Sequence, residues 1–174
     1  RQSMRSVSPV RACFMGTPRF CSSKTFWNSG PMGGGISCPT FTLSIQGAPT
    51  ASLTLAAYGY MAELARQAAL RLAYEHEIFV ELVVPTRLAP FDLAPVLASV
   101  RRTGRLLTIE EGTPALGWGS EVLAQASEAL GARLHTARRL AAAPHPIPAS
   151  GPLEAVALPG VEQILAAARL ACQA

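Results

Sequence analysis

Aspartate is almost missing from this chain. Of its eleven acidic residues only Asp92 is an aspartate. A magnesium site made of paired aspartates has no donors to draw on. A Ser-His-Asp triad would have to take the one residue placed as a helix cap ahead of Leu93. Histidine is also scarce. His76, His135 and His145 stand far apart, with no H-E-x-x-H or similar pairing to hold a metal. The four cysteines, Cys13, Cys21, Cys38 and Cys172, have no C-x-x-C spacing. Without a secretory signature, they read as free thiols in a reducing compartment, not as zinc ligands or a disulfide framework. Apolar runs break off before the ~20 residues of a membrane span. The expectation is a soluble, cytoplasmic protein with no membrane contact.

Acid of either kind is absent from residues 1–50, which carry Arg1, Arg5, Arg11, Arg19 and Lys24. The remaining ten arginines face all eleven acids, so residues 51–174 are close to neutral and the net charge of +4 belongs to the tail. A near-neutral globular part gives no reason to invoke nucleic acid. The tail is rich in Ser, Pro, Gly and Thr, and no periodic pattern lasts in it. Such a segment buries too little apolar surface to offset its ordering entropy. Residues 1–50 are therefore read as an irregular basic tail or linker, with room for a short strand over 39–45. An Arg- and Ser-rich, acid-free stretch also fits a targeting leader, which would imply the mitochondrial matrix. Its prolines and glycines oppose the helix a leader needs.

Regular patterning starts at Ser52. Strands are expected over 52–58, 78–84, 105–110 and 133–140. Helices are expected over 60–75, from Asp92 to Gly104, from Ser120 to Leu130, and from Val161 onward. Apolar stripes at helical spacing mark each helix, for example Met61, Leu64, Ala65, Ala68 and Leu72. Glu63–Arg66 and Arg71–Glu75 stand at pairing distance on the first helix. Residues 143–158, rich in proline, read as extended. Alternation of strand and helix implies right-handed crossovers and a mostly parallel sheet with helices on both faces.

Few residues carry chemistry. Gly112, Gly117 and Gly119 precede a helix after a strand, where free amides attract anions. Glu110, Glu111 and Glu121 oppose that, and the spacing matches neither the Walker nor the dinucleotide fingerprint. Glu110 and Glu111 end a parallel strand, where open α/β sheets place functional groups. No titratable partner lies near them in sequence, which favours a structural role. The candidate interface or strand-end residues are Glu110, Glu111, Gly112, Trp118 and His145. No catalytic, cofactor-binding or metal-binding residue is assigned.

Several segments together resemble one family. LAAYGYM (55–61), PFDLAPVLASVRRTGRLLTIEEG (90–112), GWGSEV (117–122), PIPAS (146–150) and PLEAVALPGVEQIL (152–165) occur in order. They resemble the C-terminal, transketolase-type domain of the beta subunit of thiamine-dependent 2-oxoacid dehydrogenases, covering residues 52–174. The resemblance implies an α/β three-layer sandwich with a mostly parallel five-stranded sheet. It implies an enzyme that decarboxylates a 2-oxoacid such as pyruvate with thiamine diphosphate and magnesium and passes the acyl group to a lipoyl carrier. The implied partners are an alpha subunit, a second beta subunit and the acyltransferase core of a multienzyme complex. Pro144 stands where the family usually has an aspartate. The family's pyrimidine-binding domain and its G-D-G motif have no counterpart here, so these residues alone are expected to be inactive. Two other readings compete: a free-standing regulatory or nucleotide-binding module, and a C-terminal fragment of a transketolase or deoxyxylulose-phosphate synthase.

Overall fold

The computed structural model describes residues 40–45 and 47–173, and the tail readings made for residues 1–39 lie outside them. Strands β1 (Phe41–Leu43), β2 (Leu53–Ala57), β3 (Val80–Val84), β4 (Arg105–Ile109) and β5 (Thr136–Leu140) form one sheet in the order β1-β3-β2-β4-β5. The last four run parallel, and β1 pairs with β3 antiparallel. The sheet thus draws one strand from the stretch read as a tail. The helices are α1 (Gly59–His76), α2 (Ala94–Thr103), α3 (Trp118–Leu130), α4 (Gly151–Ala157) and α5 (Val161–Gln173).

Side-chain alternation along the strands makes two cores. Leu53, Leu55 and Ala57 of β2, with Leu107 and Ile109 of β4, face α1 and α5, against Met61, Ala65, Ala68, Leu72, Ile164 and Ala168. Ala56, Val83 and Leu106 face α2 and α3, against Val96, Val100, Val122 and Ala126. These two cores on opposite faces are the three-layer α/β sandwich that the resemblance implied. The predicted ion pairs on α1 form, Arg66–Glu63 at 2.7 Å and Arg71–Glu75 at 2.8 Å, and Arg71 also reaches Glu162 of α5. The Arg66 hydrogen bond holds the Glu63 carboxyl down at about 2.

The two faces differ in polarity. Under α2, the buried Thr54 hydroxyl lies 2.8 Å from both Ser99 Oγ and Thr103 Oγ1. Ser99 Oγ donates to Glu81 at 2.6 Å, and Arg102 closes the chain on the same carboxylate. This seam ties α2 to β2 and β3 by satisfied hydrogen bonds. Gly104 ends α2 with φ +68°, and a Cβ there would come within 2.7 Å of His135 Nδ1. The His135 amide donates to the Gly104 carbonyl at 2.8 Å, so this histidine packs a helix end.

Four expectations need correction. Residues 131–133 form a 3-10 turn and not the start of a strand, because β4 begins at Arg105, whose partner is Thr136. Upstream of this pair the His135 amide reaches the Gly104 carbonyl, but no ladder pairing continues among the described residues. Residues 151–157, read as extended, form α4: Pro152 sits in the first turn, where its missing amide costs nothing. Leu153 and Val156 point outward and only Ala157 is buried, which left no inward stripe to read. Asp92 lies two residues before the first residue of α2 and accepts the Ala94 amide at 3.0 Å, while Leu93 holds the cap position. Helix α3 starts at Trp118 with Gly117 as its cap, so Ser120 lies inside the first turn.

The run from Gly151 to Gln173 has the length and composition to cross a membrane. It is two helices separated at residues 158–160, and Ile164, Leu165, Ala168 and Ala171 of the second are buried. Strand β5 is an edge strand with Ala137, Arg138 and Arg139 exposed.

Leu55 lies wholly inside the α1/α5 core. Leu55→Ala is expected to cost about 2–5 kcal/mol, read from the shift of the urea unfolding midpoint.

Candidate functional site

The C-terminal ends of the parallel strands bring together the polar residues that the strand-end reading singled out. On β4 the even positions Leu106, Thr108 and the following Glu110 face α3. Glu110 is completely buried. Its Oε1 accepts the Gly119 amide at 3.1 Å, and the Trp118 amide also faces the carboxyl. A carboxylate here does the work of an N-cap, from nine residues upstream in sequence. Helix α3 has no side-chain cap from its own flanking residues.

Glycine makes this approach possible. A Cβ on Gly119 would fall 2.5 Å from Thr108 Oγ1 and 2.7 Å from Glu110 Oε1. A Cβ on Gly117 would fall 2.5 Å from the Thr113 carbonyl and 2.7 Å from Glu110 Oε1. Gly112 lies against the other oxygen, 3.2 Å from a notional Cβ to Oε2. The three glycines of the loop therefore enclose the carboxyl of Glu110. That oxygen, Oε2, and the Thr108 hydroxyl have no hydrogen-bond partner among the described residues.

Burial pushes the Glu110 carboxyl above the usual carboxylate range, against the pull of the Gly119 and Trp118 amides and the Arg139 charge. Burial raises the Tyr58 hydroxyl too, with Glu110 and Glu111 adding to the effect. Tyr58 meets Trp118 edge-on, with ring centroids 5.2 Å apart, and Phe91 meets Trp118 from another side at 5.3 Å. Arg139 of β5 closes the loop from outside, donating to the Pro114 carbonyl at 2.6 Å and to Ser120 Oγ. Ser120 itself donates to the Pro114 carbonyl at 3.0 Å.

Of the five residues singled out in the sequence, Glu110, Gly112 and Trp118 converge here. Glu111 is half-buried beside Gly59. His145 does not join them: it is exposed, with Nδ1 3.1 Å from the Pro146 carbonyl oxygen. Sequence reasoning missed Tyr58, Phe91, Thr108 and Arg139. For Thr108 a signal was present, since a polar residue two before Glu110 on a buried strand must share its face.

Glu110 serves here as the cap of α3. The helix end that could attract an anion already holds Glu110. Thiamine diphosphate with magnesium finds no matching donors among the described residues. Asp92 is turned onto the Ala94 amide, and no three His, Cys, Asp or Glu side chains converge. The surface cleft lined by Thr50, Phe79, Glu81 and Arg102 lies at the opposite end of the strands.

A helix-flanked, mostly parallel sheet with a buried acid capping a helix at its strand ends defines a three-layer α/β domain. The chain belongs to the transketolase C-terminal domain family, which it matches over residues 45–164. It is 37% identical over 121 residues to pyruvate dehydrogenase E1 component subunit beta-1 of Arabidopsis thaliana, covering 69% of this chain and 33% of that protein. It is 36% identical over 118 residues to the beta subunit of acetoin:2,6-dichlorophenolindophenol oxidoreductase of Cupriavidus necator, covering 67% of this chain and 35% of that protein. The chain thus spans about a third of the length of these curated relatives. A split-gene transketolase, solved as an inactive beta4 tetramer, shares the fold with a TM-score of 0.58 at 24% identity, over 76% of this chain and 41% of that one.

Two outcomes follow from the site. Gly119→Ala is expected to lose about 1–3 kcal/mol by overpacking, measured by chemical denaturation. The control Gly151→Ala meets open space and should stay within about 0.5 kcal/mol of the parent. Because the folded-state value of Glu110 is raised, its stabilising contribution is complete below the ordinary carboxylate range and is lost as pH rises through the folded value. Glu110→Gln keeps an acceptor for Gly119 and carries no charge. Its stability relative to the parent should therefore increase from acid to neutral pH, as seen in thermal melts over a pH series.

Proposed function

We propose that residues 45–164 serve as the C-terminal assembly domain of a 2-oxoacid dehydrogenase beta subunit, most closely of the pyruvate type. The observation that carries this is the 37% identity to a pyruvate dehydrogenase beta subunit over nearly the whole domain. The placement of the family-like segments supports it. The EEG segment supplies the acid that caps α3, and GWGSEV supplies the two glycines and the helix start it caps. The P-L-E segment opens α4 and the L-P step separates it from α5.

On this reading the domain contributes no reacting group. Thiamine diphosphate and magnesium act at residues outside it, and the domain's part is to hold subunits together: an alpha subunit, a second beta subunit and the acyltransferase core. The exposed apolar residues suit contact with partners. Tyr60, Leu88 and Leu116 follow the ends of β2, β3 and β4, and Leu153 and Val156 line α4. The transketolase alternative shares the fold at lower identity, and fold alone does not fix function.

Three measurements test the proposal. Calorimetry of this chain with thiamine diphosphate and magnesium should give no binding heat, and pyruvate should not be turned over by it. Co-expression with the alpha subunit of the same genome, after the missing part of the beta subunit is restored, should give pyruvate-dependent acetyl transfer. Micromolar cofactor binding by this chain, or unaided turnover, would sink the reading.

A further inference from the structure

A cleft opens at the other end of the sheet, away from Glu110. The β1–β3 ladder stops at Leu43–Leu82. The chain then runs through residues 44–51 before β2, and it rejoins the sheet where the Ser52 amide donates to the Phe79 carbonyl at 2.8 Å. Between residues 44–51 and the start of β3 lies an open space of about 210 Å³. At ~30 Å³ for each water it holds roughly seven. Drug-sized pockets begin at ~300 Å³, so the molecule that fits here is smaller, with about ten non-hydrogen atoms.

The lining has two parts. Ile45, Pro49 and Phe79 are apolar, and Glu81 and Arg102 are ionic. Glu81 is anchored through one oxygen only. Its Oε2 accepts from Ser99 Oγ at 2.6 Å and from Arg102 Nη2, and Ser99 is tied to the buried Thr54. Its Oε1 accepts no hydrogen bond among the described residues. Arg102 donates from Nη1 to the Ala98 carbonyl at 2.9 Å and from Nη2 to Glu81. A guanidinium has five N–H donors, so its half-exposed side chain keeps others free. The pair is neutral as a whole. A lone anion drawn to Arg102 is repelled by Glu81, and a lone cation drawn to Glu81 is repelled by Arg102. A molecule with both charges meets neither repulsion. Because both groups are already held by bonds to the protein, little ordering is needed when it binds.

We propose that this cleft binds a small zwitterion, a free α-amino acid with an apolar side chain. Its ammonium group donates to Glu81 Oε1, and its carboxylate accepts from the free donors of Arg102. Its side chain lies against Ile45, Pro49 and Phe79. Binding fastens residues 44–51 to β3 and to α2, which carries Arg102. The site involves neither Glu110 nor any group at the other end of the strands.

The whole chain is titrated with L-leucine, by calorimetry and by heteronuclear NMR. The expected dissociation constant is on the order of 1 mM, as suits a ligand of about nine non-hydrogen atoms. The amides that shift are those around the cleft, Ala48, Thr50, Glu81 and Arg102 among them. Leucinamide, which lacks the carboxylate, and 4-methylpentanoate, which lacks the amine, each bind about tenfold more weakly or worse. Arg102→Gln weakens leucine binding by about tenfold. Ala48→Phe fills the cleft from the loop side and abolishes binding while the Glu81–Arg102 pair stays in place. Circular dichroism verifies the fold of both variants, and the shifts in the unmodified chain stand without them. The proposal is overturned if leucine produces no saturable shift of these amides. Equal affinity for leucinamide or for 4-methylpentanoate overturns it too, since that marks a plain cation or anion site. So does unchanged affinity in folded Arg102→Gln or Ala48→Phe.

Discussion

A single hydrogen bond, from the Gly119 amide to the buried Glu110 carboxyl, sets the geometry at the C-terminal ends of the parallel strands. It fixes where α3 starts, which in turn fixes where Trp118 sits and how Tyr58 and Phe91 pack around it. It also explains the glycines. With side chains at 117 and 119 the acid and the helix could not approach one another. The arrangement satisfies a helix end inside the protein, where an unpaired amide would be costly. It leaves an acid in an apolar setting, and burial answers by favouring its neutral form.

This bond also marks the limit of what the sequence discloses. Helices α1, α2, α3 and α5 and the strands from β2 to β4 were legible because their signals are local: apolar stripes at helical spacing, β-branched runs, and Gly104 and Gly131 as stops. The cap on α3 is not local. Ser120 is the type of residue that caps helices, and a local rule chooses it, yet a competitor nine residues away takes the role. Likewise, His135 was read as a strand residue because the start of β5 depends on where β4 begins, which no window around His135 contains. Helix α4 was missed because its apolar residues face outward and the prolines in and around it suggest extension. Among the candidate residues, Glu110, Gly112 and Trp118 met because they belong to one strand–loop–helix unit. Tyr58 and Arg139 joined them through the sheet order, which periodicity does not reveal.

The two faces of the sheet divide the labour. The α1/α5 side is almost wholly apolar and supplies burial. The α2/α3 side is laced with polar groups: Thr54, Ser99 and Thr103 under α2, then Thr108 and Glu110 under α3. Apolar packing tolerates sliding, since hydrophobic contact is non-directional. Hydrogen bonds of fixed direction do not. The polar face thereby fixes where α2 and α3 sit along the strands, and so the heights of the loops that follow β3 and β4.

The sheet ends on one side in β5, whose outer flank carries Arg138 and Arg139. A bare parallel edge invites another chain to extend the ribbon. Here Arg138 and Arg139 occupy successive positions and so stand on opposite faces of the sheet, with Arg139 folded back onto the Pro114 carbonyl and Ser120. Charged side chains along an edge strand make it a poor template for strand addition.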